Sequence, residues 1–122
     1  EILLEEGEVL TEIRVPAAAG VKSVYASVRE RAAFDWPLVA VAAALRLDAG
    51  TVGEARIVLG AVAPIPWRST RTEQAVRGKK LDGDTAEAAA RAAIVGAAPL
   101  SDNGYKVPLL QALVRRTLLS MA

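Results

Sequence analysis

The sequence contains no cysteine and no histidine. Without thiols there are no disulfides, no thiolate nucleophile and no cysteine ligation of an iron–sulfur cluster. Without imidazole the commonest general base near neutral pH is missing, and a zinc ion would have to be held by carboxylates alone. Aromatic residues are sparse: two Trp, two Tyr and one Phe in 122 residues. Neither sign of charge dominates, since 15 basic and 14 acidic residues leave a net +1. Apart from Lys79-Lys80 and Arg115-Arg116 the basic residues are scattered, which is no electrostatic footprint for nucleic acid. The longest apolar run, Pro37 to Leu45, ends at Arg46, well short of the ~20 residues that span a bilayer. No charged leader followed by an apolar stretch and a cleavage site occurs in this piece, and a cysteine-free chain suits a reducing compartment, so a cytoplasmic setting is expected. Together these absences argue against a self-sufficient catalyst.

What is present suffices for one domain with one core: 52% of the chain is apolar. Residues 8–15 alternate, with Ile13 and Val15 apolar and Glu12 and Arg14 charged, which predicts a strand closed by Pro16. In the next segment Val24, Ala26 and Val28 share one parity and Tyr25, Ser27 and Arg29 the other. A strand here buries the valines and aims Tyr25 the opposite way. Between Leu38 and Leu47 the alanines favour helix by propensity. Large residues nevertheless fall on odd positions (Val39, Val41, Leu45, Leu47) and small or polar ones on even positions, so the period is two. Asp48-Ala49-Gly50 then predicts a hairpin turn into a second strand with Ala55, Ile57 and Leu59 on its apolar side.

The second half changes period. Ser69 is placed to cap a short helix ending at Gly78. Asp84-Thr85-Ala86-Glu87 has capping-box spacing before an alanine-rich helix to about Ala97, with Pro99 beyond it. Leu110, Leu113, Val114, Thr117, Leu118 and Met121 form a stripe at helical spacing. Strands first and helices second predict an α+β fold: an antiparallel sheet of three to four strands followed by about three helices packed on one face.

The order of these residues resembles the C-terminal domain of the FAD-binding medium subunit of molybdenum hydroxylases, the carbon monoxide dehydrogenase and xanthine dehydrogenase family. The likeness begins at Glu8-Val9-Leu10-Thr11-Glu12-Ile13-Arg14-Val15-Pro16, similar to the family's Glu-Ile-Leu strand ending in proline. It continues through Tyr25, Arg31, Asp35, the Val/Ala strand, Ala55-Arg56-Ile57-Val58-Leu59-Gly60 and Ala63-Pro64. It closes with Glu73, Gly78, Ser101-Asp102, Tyr105 and Arg115-Arg116-Thr117-Leu118. The resemblance implies that residues 1–122 are a single domain at the C-terminal end of a larger FAD-binding subunit. The preceding FAD-binding domains would hold the pyrophosphate, since this chain has no glycine-rich phosphate loop. The implied partners are an iron–sulfur small subunit with 2Fe–2S clusters and a large subunit carrying molybdopterin. Electrons would pass from molybdenum through iron–sulfur to FAD and on to an external acceptor.

By this resemblance three residues face the cofactor. Leu10 matches a strand leucine lying against the flavin, Tyr25 an aromatic covering its ring, and Ser27 a position where lysine is frequent. A serine there offers a neutral hydrogen bond in place of a charge that would favour the reduced flavin. Each also has a plainer reading: Tyr25 as a half-buried strand aromatic, Ser27 as a solvated strand serine, Leu10 as an ordinary strand leucine. Asp35 before Trp36-Pro37 is read as a turn residue bonded to backbone rather than a catalytic acid, Arg29 and Arg31 as solvated strand ends, and Trp67 as a corner-packing residue. The alternative function is a non-catalytic α+β module that serves assembly.

Overall fold

The computed structural model describes residues 4–15, 17–32 and 34–122. Four strands form one antiparallel sheet in the order β1 (Val21–Val28), β2 (Val39–Asp48), β3 (Thr51–Gly60) and β4 (Trp67–Arg68). Three helices follow: α1 (Thr70–Val76), α2 (Gly83–Ala93) and α3 (Lys106–Leu119). This is the α+β arrangement that the sequence predicts.

The ambiguity over residues 38–47 resolves as strand, for the reason the parity gives. Val39, Val41, Ala43 and Leu45 all point into the core and are 3% exposed or less. A helix would have spread them round its circumference. Each such fully buried aliphatic side chain stabilises the fold by roughly 1.5–3 kcal/mol. Ala49 and Gly50 turn the chain from β2 to β3, both at positive φ (46° and 82°), as a two-residue hairpin of the primed type demands. In β3 the core residues are Val52, Ala55, Ile57 and Leu59. The step from even to odd parity has a local cause. The ladder shifts between Arg46↔Glu54 and Leu47↔Val52, leaving Gly53 as an extra residue in β3. That bulge lets Val52 face the core together with Ala55.

Helices α1 and α3 pack on the sheet, and α2 packs against both. The expected apolar stripe of the last helix is buried through Leu110, Leu113, Val114, Leu118 and Met121. Thr117 lies in the same stripe with its Oγ1 buried and no hydrogen-bond partner among the described residues. Backbone bonds from Val52 N to Lys79 O (2.9 Å), Gly78 N to Val52 O (2.7 Å) and Leu81 N to Gly50 O (3.0 Å) strap the α1–α2 connection across the hairpin tip. Gly78 at φ +73° makes that sharp exit from α1 possible.

Four local expectations are corrected. Residues 8–15 form no strand: the segment is exposed and has no ladder partner among the described residues, and the Pro16 expected to close it lies outside them. Alternation marks a segment able to pair, but a strand exists only where a neighbouring edge supplies the hydrogen bonds. The cap of α2 is Asp82, not Asp84; its Oδ1 accepts from Thr85 N at 2.9 Å. The helix ends at Ala93 rather than near Ala97. Ser69 does sit at the start of α1, but its hydroxyl pairs with Thr72 Oγ1 at 2.7 Å instead of with a backbone N–H.

Candidate functional site

The helices cover one face of the sheet and leave the other bare. On β2 this face carries Ala40, Ala42 and Ala44; Ala42 is exposed and Ala44 half-buried, while Ala40 at the end of the row is buried. The ladder sets three rows across it. Tyr25 lies opposite Ala42, which lies opposite Val58. Ser23, Ala44 and Arg56 make the second row, and Ser27, Ala40 and Gly60 the third. At Gly60 a Cβ would come within 3.2 Å of the Ala40 Cβ, so this end of the floor admits no larger side chain without a shift.

Small residues in the central strand, flanked by larger ones on both sides, make a shallow groove of about 380 Å³. Tyr25, Ser23, Ala42, Ala44, Arg56 and Val58 line it. Tyr25 is 60% exposed, although its neighbours Val24 and Ala26 pack on the core. This is the outward aim that strand parity predicts. An apolar floor with one aromatic wall suits a planar ring, which gains contact over its whole face.

The structure therefore brings Tyr25 and Ser27 onto one face, one in the groove and the other in the next row. It does not bring Leu10 to them. Leu10 is 63% exposed and is not among the residues lining the groove. Sequence reasoning overlooked the floor and Arg56. The signal was in the pattern, because alanines on every even position from 40 to 44 leave a face with nothing to pack against a helix.

At the sheet's far edge Glu73 of α1 is the most deeply buried charge, 2% exposed. Its Oε1 accepts from Ile57 N at 3.1 Å and from Arg68 Nε at 2.9 Å, and its Oε2 accepts from Arg68 Nη2 at 2.8 Å. The two-pronged bond from Arg68 holds the Glu73 carboxyl below its ordinary range, and the Ile57 N–H adds to this against the cost of burial. The carboxylate thus continues the β3 ladder where two-residue β4 runs out. This is a structural role for a residue that the sequence marked only by its place in the family's order.

Asp35 accepts from Arg31 N at 2.9 Å, the turn role expected of it. Trp67 lies on β4 and is 56% exposed. Among the described residues no group of three or more acidic side chains is placed to hold a metal ion. No helix among them is long and apolar enough to cross a membrane.

Comparison with known proteins agrees with this architecture. The sequence profile of the CO dehydrogenase flavoprotein C-terminal domain matches residues 23–121. The carbon monoxide dehydrogenase medium chain of Hydrogenophaga pseudoflava is 36% identical over 121 residues, covering 95% of this chain and 42% of its own length. The aldehyde oxidoreductase FAD-binding subunit of Escherichia coli is 34% identical over 122 residues, covering 99% of this chain and 34% of its own. A solved carbon monoxide dehydrogenase from Hydrogenophaga pseudoflava, lacking the Mo-pyranopterin moiety of its molybdenum cofactor, superposes with a TM-score of 0.86 at 38% identity. That match covers 96% of this chain and 42% of the other. Quinoline 2-oxidoreductase from Pseudomonas putida 86 superposes with a TM-score of 0.79 at 31% identity, covering 87% and 38%. The chain thus spans less than half the length of these relatives. With the profile match over residues 23–121 and the same fold in the solved relatives, the chain belongs to the CO dehydrogenase flavoprotein C-terminal domain family.

Proposed function

We propose that this chain is the C-terminal domain of the FAD-binding subunit of a molybdopterin-dependent dehydrogenase or hydroxylase, and that its bare sheet face forms one wall of the flavin site. The groove beside Tyr25 carries this reading. It is a flat floor of Ala42 and Ala44 with an aromatic ring at its edge, on a face the domain's own helices leave free. Those residues fit a planar heteroaromatic ring. The diphosphate would be held elsewhere, by the preceding FAD-binding domains. Relatives named as FAD-binding subunits support the cofactor. The solved relative from Hydrogenophaga pseudoflava is a molybdenum-cofactor enzyme, which supports a molybdopterin large subunit as partner; an iron–sulfur small subunit with 2Fe–2S clusters is proposed beside it.

When bound, FAD would take electrons that originate at molybdenum and arrive through iron–sulfur, and release them to an external acceptor. The chain's own residues shape the place where this happens. Tyr25 lays its ring over the flavin and keeps water from that side. Ser27 offers a neutral hydroxyl. Leu10 supplies an apolar contact once residues 8–15 are seated against the preceding domains. That seating is supported by the exposure of Val9, Ile13 and Val15 (79%, 78% and 83%) on a segment whose alternation suits a strand. The assembly is proposed as cytoplasmic.

A second reading, an assembly module without flavin contact, is favoured by Phe34 and Trp36, bare at 107% and 88%. Tyr25→Ala in the intact subunit separates the two. The flavin reading expects weaker FAD binding and a shifted flavin spectrum. Unchanged affinity and spectrum would leave the assembly reading standing.

A further inference from the structure

We infer that Arg56 is the electrostatic subsite of the bare face, an unpaired cation for the negatively charged edge of a flat heteroaromatic ligand lying on the Ala42–Ala44 floor. This rests on the flavin-wall reading above and deepens it by naming the residue that answers the ring's charge.

The other arginines on this side of the sheet are already engaged. Arg46 lies 3.7 Å from Glu54 and donates to Ala19 O at 3.0 Å. Arg68 is held by both oxygens of Glu73. Arg56 has no ion pair and no hydrogen bond to a side chain among the described residues. The Glu73 carboxylate is already occupied by Arg68 and the Ile57 N–H, so it reaches Arg56 only through space. Arg56 is also the one charged residue among those lining the groove. It stands across the alanine strand from Ser23, one row from Tyr25. The rest of the lining is neutral. A cation left unpaired beside an apolar floor is available to a ligand, and a flat ligand seated on that floor would exclude water from one side of the pair and so strengthen it.

The chemistry that would use it is simple. An isoalloxazine ring that gains two electrons and two protons stays neutral. One that gains two electrons and one proton carries a negative charge on its pyrimidine part. A cation there stabilises the second form and raises the two-electron potential. The neutral Ser27 cannot do so. Arg56 would thus supply, from β3, the positive charge that β1 lacks on this face, its Lys22 being on the opposite one.

The test uses the intact FAD-loaded subunit, reduced stepwise with dithionite and mediator dyes. Arg56→Met should retain FAD but weaken the preference for reduced over oxidised flavin by at least tenfold. That corresponds to a fall of about 30 mV for a two-electron couple. Arg56→Lys should restore most of the loss. Loss of FAD from Arg56→Met with retention in Arg56→Lys would likewise support the charge. An unchanged potential in FAD-loaded Arg56→Met, or loss of FAD from both variants, would overturn the role of Arg56. Tyr25→Ala distinguishes this from failure of the underlying reading: an unperturbed flavin in that variant removes the wall itself, whereas a perturbed flavin with an indifferent Arg56 removes only the cation.

Discussion

The two faces of β2 differ in one respect that organises the molecule. Odd residues from Val39 to Leu45 meet α3 and the core, and each has lost nearly all contact with solvent. Even residues from Ala40 to Ala44 are all alanine; Ala42 is exposed and Ala44 half-buried, and only Ala40 at the end is buried. A face that packs needs volume, since close packing and area burial supply most of its stability. A face that receives a flat ligand needs the opposite, a floor low enough for the ligand to lie on. The same ten-residue strand answers both demands. Stability is therefore concentrated on one side and function, on the reading proposed here, on the other.

That division can be broken by mutation, and the effects should descend in order. Leu45→Ala on the covered face should cost about 4 kcal/mol, read as a fall in the denaturant midpoint with an unchanged slope. A cost under about 1 kcal/mol would mean that this face is not the core. Glu73→Ala should cost about 3 kcal/mol, because it strands the Ile57 N–H and unpairs Arg68. The pair also sets a pH dependence. Glu73 titrates lower in the folded state than its ordinary 4.5. Its contribution is therefore complete above that value and is lost as the pH falls through the lowered folded one. Glu73→Gln should flatten the acid limb of the stability profile, and an unaltered limb would contradict the assignment. Asp82→Ala should cost about 1 kcal/mol by removing the α2 cap, whereas Asp84→Ala should cost less.

The sequence showed the covered face well because its signal is periodic. Val39, Val41 and Leu45 on one parity, with Ala55, Ile57 and Leu59 opposite them, require two strands sharing a core, and the Ala49-Gly50 turn joins them. Tyr25 could be aimed outward by the same rule. Features that depend on long-range contact were not visible. The role of Glu73 arises only when α1 folds back on β3 sixteen residues away. The Gly53 bulge depends on how β2 and β3 slide past each other. Residues 8–15 carry a strand's alternation, yet no pattern within a segment can state whether an edge is there to receive it. The capping error at Asp84 had a nearer cause: Asp82 and Asp84 both precede the alanine run, and only the backbone geometry at Asp82 (φ −124°, ψ −174°) decides between them.

The claim that the bare face serves a ligand while the covered face serves the fold is tested most directly at Ala42. Its position is exposed, in the middle of the floor, opposite Tyr25. Ala42→Leu raises that floor without touching the core, so stability should stay within about 0.5 kcal/mol of the parent. The measurement is the ratio of FAD to subunit in the intact protein. The account predicts a folded Ala42→Leu subunit that has lost most of its flavin. A folded subunit that keeps its full complement of FAD with an unchanged flavin spectrum would contradict it.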